Sequence, residues 1–266
     1  MSIIIHPTAL VAEGATLGEG TTVGPYSIIG PKVVLGRNNT VASHVVIEGN
    51  TRAGDENQFF QFCSIGSRPQ DLKYRGEDST VEIGNRNIVR EYVTIQPGTT
   101  GGGMRTVVGD TNLFMGSVHI GHDTLIGNGS IFANGVAVAG HVSIGNFVTV
   151  GGLSGIHQFV RLGDLSFIGA GAMVSQDIPP FCMAQGDRAS LVGLNKVGMQ
   201  RRGYDDSAMT EIKQVYRELF VAKGQFRPKL ERMRDQVSHE AARTLLDFIF
   251  ASSRGVAHGR ASESLD

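Results

Sequence analysis

The sequence predicts an all-β left-handed parallel β-helix, a triangular prism of hexapeptide repeats over residues 1–189, followed by a small α-helical C-terminal domain over residues 190–266. Three observations predict it. Aliphatic or similar residues recur every six positions at twenty-six places. Glycine often follows the recurring residue, as in Leu17-Gly18, Ile126-Gly127, Ile144-Gly145 and Ile168-Gly169. After Pro179-Pro180 the period gives way to apolar residues at helical spacing. A fixed short period marks a solenoid, and six residues make one short strand plus one turn. A sandwich would show period two and irregular turn spacing instead.

The first run of key residues is Ile5, Val11, Leu17, Val23, Ile29, Leu35, Val41, Ile47, Ala53, Phe59 and Ile65. It resumes in phase at Ile83, Val89 and Ile95, then one residue out of phase from Val108 through Val174. Three hexapeptides close one coil, so residues about 18 apart stack. The key residue points inward, and so does the residue two before it. From Thr124 through Ser130, Val136, Val142, Val148, Ser154, Val160 and Ser166 to Ala172 that second column is small or β-branched, which suits a narrow prism of closely stacked strands. Glycine is expected to relieve the sharp corners.

Two insertions interrupt the coils, residues 66–80 and 98–105. Solenoid insertions tend to gather on one, often functional, face. The first mixes polar, charged and aromatic groups and is expected to bind something. The second, with three consecutive glycines, is expected to be mobile and carries no functional reading. Beyond residue 190, Asp205-Asp206-Ser207 offers helix caps, and Ile212, Val215, Tyr216, Leu219 and Phe220 follow at helical spacing. A second amphipathic stretch contains Leu245, Leu246, Phe248, Ile249 and Phe250, and the tail after about Gly255 is expected to be disordered. A prism with a filled interior has no pocket of its own, so the expectation is a homotrimer with sites in the clefts between subunits.

The bulk properties exclude more than they identify. Net charge is −1 with no basic run, which argues against a nucleic-acid partner. No transmembrane segment is predicted, and the first residues lack the basic region and long apolar core of a signal peptide. The two cysteines, Cys63 and Cys182, fit reduced thiols in a cytoplasmic protein.

Four of the eight histidines, His119, His122, His141 and His157, lie close together in the sequence. None occupies an inward column. The coil period sets His122 beside Gly140 and His141 beside Asp123, and brings His157 two coils from Gly121. Two chemistries suit such a patch. A general base needs an oriented imidazole, which His122 with Asp123 supplies, and a nearby backbone N–H, that of Gly140, would hold an oxyanion; together they suit acyl transfer. The rival is a zinc site of three histidines gathered across a subunit interface, as in hexapeptide-repeat carbonic anhydrases.

Longer motifs carry a resemblance: Ile5-His-Pro-Thr-Ala9, Gln70-Asp-Leu-Lys-Tyr74, Arg90-Glu-Tyr-Val-Thr-Ile95, His119-Ile-Gly-His-Asp123, Ala139-Gly-His141, Ile156-His-Gln-Phe159, Gln176-Asp-Ile-Pro-Pro180, and Gly193-Leu-Asn195 leading to Arg201-Arg-Gly203. Over nearly its whole length the chain resembles the UDP-N-acetylglucosamine acyltransferases, which open lipid A biosynthesis. The resemblance implies a homotrimer moving an (R)-3-hydroxyacyl group from acyl carrier protein to the glucosamine 3-position of UDP-N-acetylglucosamine. It implies His122 as base, Asp123 as its orienting partner and the Gly140 N–H as oxyanion donor. Gln70, Asp71, Lys73, Gln96, His119, His141, His157, Gln158, Asn195, Arg201 and Arg202 would line the substrates, with Met115, Gly152 and Ala170 along the acyl groove. No metal or dissociable cofactor is implied, because the thioester is already activated.

Two positions depart from the family's pattern: Gln96 replaces its usual histidine and Ala170 its frequent glycine. The Ala170 methyl predicts a shortened groove and a preference for chains of about ten to fourteen carbons. An acceptor bearing an amine at C3 is the alternative to the hydroxyl. Arg227, Lys229, Arg232 and Arg234 are candidates to dock the acidic carrier protein.

Overall fold

The structure, a computed structural model, describes residues 2–259. Within them the strands form three sheets of 11, 9 and 8 strands, the three faces of a prism, parallel throughout except for the last strand of the largest. Each coil strand ends on a key residue of the hexapeptide series, from Ile4–Ile5 to Met173–Val174. Strand pairs are offset by 18 residues, as in Ile4 with Thr22. The offset rises to 30 across the first insertion, Gln58 with Ile88, and to 25 across the second, Ile88 with Leu113. The first insertion therefore adds 30 − 18 = 12 residues, two whole hexapeptides, and the phase survives. The second adds 25 − 18 = 7, which explains the one-residue slip in the sequence.

The key residues fill the interior, with Ile29, Ile65, Phe114, Ile120, Phe132 and Ile168 fully buried, and the small second column from Thr124 to Ala172 is buried beside them. The expectation for the corners holds in part. Within the regular coils the glycine after the key residue does not take the left-handed turn, Gly66 at the start of the first insertion being an exception; it lies where the next coil's backbone passes, so that a Cβ on Gly127 would come within 3.0 Å of the Gly145 carbonyl carbon. The left-handed position is three residues after the key: glycine relieves it at Gly14, Gly20, Gly129, Gly135 and Gly171, while ordinary side chains hold it elsewhere, Asp123 (φ 58°) and His141 (φ 61°) among them. The coil backbone over-determines that conformation, offsetting a cost of about 1–2 kcal/mol per residue.

Earlier coils use asparagine where later ones use serine or valine. Asn39, Asn57, Asn87 and Asn112 form a fully interior ladder. The Asn87 Oδ1 accepts the N–H and side-chain amide of Asn112 at 2.9 and 3.1 Å, while its Nδ2 donates to Gly109 O at 2.9 Å. Leucine at position 87 would strand these groups without water. Each buried orphan costs about 1–3 kcal/mol, so Asn87→Leu should destabilise the chain by about 3 kcal/mol or more in urea unfolding. A loss under about 1 kcal/mol would show that the ladder is not a stabilising element.

The sheet continues past residue 189. Cys182–Gln185 joins the largest face, and Ser190–Leu194 pairs antiparallel with it, so the helices begin only after Leu194. Helix α1 spans Lys196–Arg201, α2 Asp206–Phe220, α3 Phe226–Gln236 and α4 Glu240–Phe250. Asp205 caps α2, accepting the Ala208 N–H at 2.8 Å as its sequence suggests. Ile212, Val215 and Leu219 of α2 and Leu245, Leu246 and Ile249 of α4 are buried. No helix among the described residues is long and apolar enough to cross a membrane.

The segment after Gly255 is not disordered as far as Gly259. Val256 and Ala257 are buried, and the Ala257 N–H donates to Asp177 O at 2.9 Å. Apolar side chains and backbone partners on the last coil hold it. The rest of the tail, 260–266, lies outside the described residues.

Candidate active site

The centre of the site is one corner of the prism, between the 9- and 8-stranded faces. The coil repeat brings two columns of that corner together: His122 and Gly140 in one, Asp123 and His141 in the other. His122 Nδ1 lies 2.9 Å from Asp123 Oδ2, and the Asp123 side chain is 2% exposed. A carboxylate only accepts hydrogen bonds, so Nδ1 donates and the lone pair falls on Nε2. That nitrogen faces Gly140: a Cβ built there would sit 2.6 Å from both Cε1 and Nε2. The Gly140 N–H makes no hydrogen bond within the described residues. At another corner the matching N–H groups are occupied, as where Asn128 donates to Asn146 Oδ1 at 2.9 Å and Asn146 to Asp164 Oδ1 at 2.8 Å. Base and free backbone donor therefore lie side by side.

His141 meets the His122 ring edge-on at 4.9 Å and stacks on Phe159 at 4.6 Å. Burial pushes its pKa below the ordinary histidine value, against the pull of Asp123. His119 is lowered too, by burial first and by His122 second. Both are neutral hydrogen-bonding groups at pH 7. His119 Nδ1 pairs with Thr94 Oγ1 at 2.7 Å. His119 and His157 line one groove of about 630 Å³ along the 9-stranded face, with Ala137, Gly155 and Met173 as its apolar floor. His157 and Gln158 are exposed.

The first insertion reaches this corner, since Asp71 and Lys73 act electrostatically on His141. Asp71 Oδ1 accepts the Lys73 N–H at 2.9 Å, closing a tight turn that leaves Leu72 95% exposed. Gln96 is buried, and its amide oxygen accepts the Gln70 N–H at 3.1 Å. It anchors the insertion rather than presenting a free side chain.

The remaining candidates lie elsewhere on the prism. Arg202 stacks over Phe147, 3.5 Å from the ring centroid, at the corner between the 8- and 11-stranded faces. Asn195 meets the same corner: its Nδ2 donates to Leu165 O and its Oδ1 accepts from Gly198 N–H, both at 2.9 Å, so the amide caps α1. Arg201 is exposed beside Arg202. Met115, Gly152 and Ala170 occupy the third corner, where Gly171 N–H bonds Gly152 O at 2.8 Å and places Ala170 one coil from Gly152. The single chain does not bring these three groups together.

Within one chain, the metal-capable group among the described residues is His122, Asp123 and His141; a three-histidine set across a subunit interface would draw on a second copy. Lys229 is not a docking residue. It is buried and donates to Leu219 O in the last turn of α2 at 3.3 Å and to Ala222 O just past the helix at 2.7 Å. Arg227, Arg232 and Arg234 are each engaged, with Glu231, Glu218 and Asp247.

Sequence reasoning missed two contributors. Arg254, beyond α4, donates to His157 Nδ1 at 2.9 Å. The second insertion packs on Asp123, where Thr99 donates to the carboxylate and a Cβ on Gly102 would fall 2.1 Å from Cγ. The glycine triplet was the only trace of the latter in the sequence.

Known proteins share this arrangement of chain. A family model described as UDP N-acetylglucosamine O-acyltransferase, domain 2, matches residues 177–257, and one described as bacterial transferase hexapeptide matches residues 4–49. Relatives named acyl-[acyl-carrier-protein]–UDP-N-acetylglucosamine O-acyltransferase include those of Myxococcus xanthus, 48% identical over 95% of this chain and 98% of its own, and Aliarcobacter butzleri, 44% identical over 96% and 98%. Among solved structures, the Francisella novicida UDP-N-acetylglucosamine acyltransferase superposes with a TM-score of 0.94 at 37% identity, covering 99% of this chain and 97% of that one. The Campylobacter jejuni enzyme gives 0.92 at 36%, covering 96% and 100%. With such identity along nearly its whole length and the same prism, the chain is an enzyme of the acyl-[acyl-carrier-protein]–UDP-N-acetylglucosamine O-acyltransferase family.

Proposed function

We propose that the protein moves an (R)-3-hydroxyacyl group from acyl carrier protein to the 3-hydroxyl of UDP-N-acetylglucosamine, the first step of lipid A biosynthesis, as a cytoplasmic homotrimer. The observation that carries the mechanism is His122 Nε2 poised over Gly140 while Nδ1 is held by Asp123. His122 takes the hydroxyl proton, the oxygen attacks the thioester carbonyl, and the Gly140 N–H holds the resulting oxyanion. Collapse expels the phosphopantetheine thiolate, which takes the proton back from His122. Neither a metal nor a dissociable cofactor enters these steps.

Geometry supports the trimer. Base, arginines and acyl-groove residues lie on three different corners, and a cyclic assembly sets one copy's corner against another's. The apolar groove along the 9-stranded face suits an acyl chain. For the carrier protein, α2 offers Lys213 and Arg217 beside the exposed Val221, with no ion pair to either base among the described residues. That is an acceptor for an acidic helix.

The test is transfer from 3-hydroxyacyl carrier protein to UDP-N-acetylglucosamine and to its 3-amino analogue, each with and without chelator. Chelator-resistant transfer to the hydroxyl is expected. Transfer only to the amine would reassign the acceptor, and chelator-sensitive hydration of carbon dioxide would reassign the chemistry to zinc. The same assay reads chain length. The optimum should fall at about ten to fourteen carbons, and Ala170→Gly should lengthen it by about one or two, because a packed groove registers a single methyl. A native preference for sixteen or longer would refute the assignment of Ala170.

A further inference from the structure

The Asp123 carboxylate stands between two histidines. Its Oδ2 is 2.9 Å from His122 Nδ1 and 3.9 Å from His141 Nδ1. Both imidazoles face the carboxylate with similar exposure, 14% and 16%, so exposure alone does not decide which one it serves. The second insertion decides it. Thr99 is 2% exposed. Its N–H lies 3.0 Å from both carboxylate oxygens, and its hydroxyl donates to Oδ2 at 2.7 Å. Three short contacts from one residue fix the rotation about the Cβ–Cγ bond. Gly102 brings loop backbone against the same group, where any side chain would strike Cγ. The segment is also tied to the first insertion, because Thr100 Oγ1 donates to Glu77 Oε1 at 3.1 Å.

We propose that Thr99 is a positioning residue for acyl transfer, clamping the Asp123 carboxylate so that it orients His122 and not His141. Thr99 touches no reacting atom and acts through Asp123, so this inference rests on the base role proposed for His122. Its signature is a loss in kcat rather than in substrate binding. Valine at position 99 keeps the shape and the N–H but removes the hydroxyl donor, freeing the carboxylate to swing toward His141.

The experiment measures kcat, KM for the nucleotide sugar and melting temperature for Thr99→Val, Thr99→Ser and Gly102→Ala, and repeats Thr99→Val in an Asp123→Asn background. Losing one charge-assisted hydrogen bond should lower kcat by about tenfold with KM within about twofold. Serine should restore kcat to within about twofold, since it returns the same donor. With asparagine at 123 the valine should cost nothing further. Gly102→Ala, which pushes the loop off the carboxylate while leaving Thr99 intact, should reproduce the kcat loss even if Thr99→Val fails to fold. Native kcat in a folded Thr99→Val, or losses that add to those of Asp123→Asn, would overturn the clamp while leaving an inactive His122→Ala to uphold the transferase. An active His122→Ala would remove the base, and this inference with it.

Discussion

Replacing His122 by alanine should lower kcat by about 10³-fold, within the range that a positioned general base supplies. The reasons lie in the corner itself. The 3-hydroxyl of a sugar is a poor nucleophile until its proton leaves, and His122 Nε2 is the lone pair that lies over the Gly140 donor. His141 is close, but its Nδ1 is 3.9 Å from Asp123 Oδ2, and burial further weakens it as a proton acceptor. It cannot take over the base role without moving. The fold should tolerate the change, because the His122 side chain contributes a ring edge to His141 and one hydrogen bond, not core packing. Steady-state transfer kinetics beside thermal unfolding make the check. A variant that folds and keeps more than about a tenth of the native kcat would exclude His122 as the base.

The prism was legible because its period is written into the core. A solenoid repeats one packing problem, so the same answer, an aliphatic residue every sixth position, recurs from Ile5 to Val174. The phase slip after the second insertion was visible, and the strand register explains it by a count of residues. The pairing of His122 with Gly140 and of Asp123 with His141 followed from the same period. What the period could not reveal lies off the repeat. Thr99 and Gly102 belong to a loop whose path no repeat constrains, and Arg254 returns from the helical domain to His157 across 97 residues of sequence. Lys229 read as a surface charge, because its helix is mostly polar, yet it is buried against the end of α2, donating to the carbonyls of Leu219 and Ala222. Such contacts depend on where a chain turns back, and side-chain patterning does not encode that.

Gly140→Ala should cost about 10²–10³ in kcat, although it adds one methyl group and removes no functional atom. Gly140 does not occupy the left-handed region, so alanine meets no backbone penalty there. Its Cβ would instead lie 2.6 Å from Cε1 and Nε2 of His122 and 3.0 Å from Cδ2. One of the two must give. The coil backbone is locked by its neighbours, with Ala139 N–H on Ile156 O at 3.0 Å and His141 N–H on His122 O at 2.9 Å. The imidazole is therefore the part that tilts, and its tilt breaks either the bond to Asp123 or the line from Nε2 to the hydroxyl. A comparison with the double variant separates the causes. If Gly140→Ala acts only by displacing the base, it should cost nothing more in a His122→Ala background; a further drop would mean that the oxyanion donor has moved as well. Native kcat in Gly140→Ala would mean that His122 does not rest over Gly140 in the working enzyme, and the pairing of base and oxyanion donor would have to be abandoned.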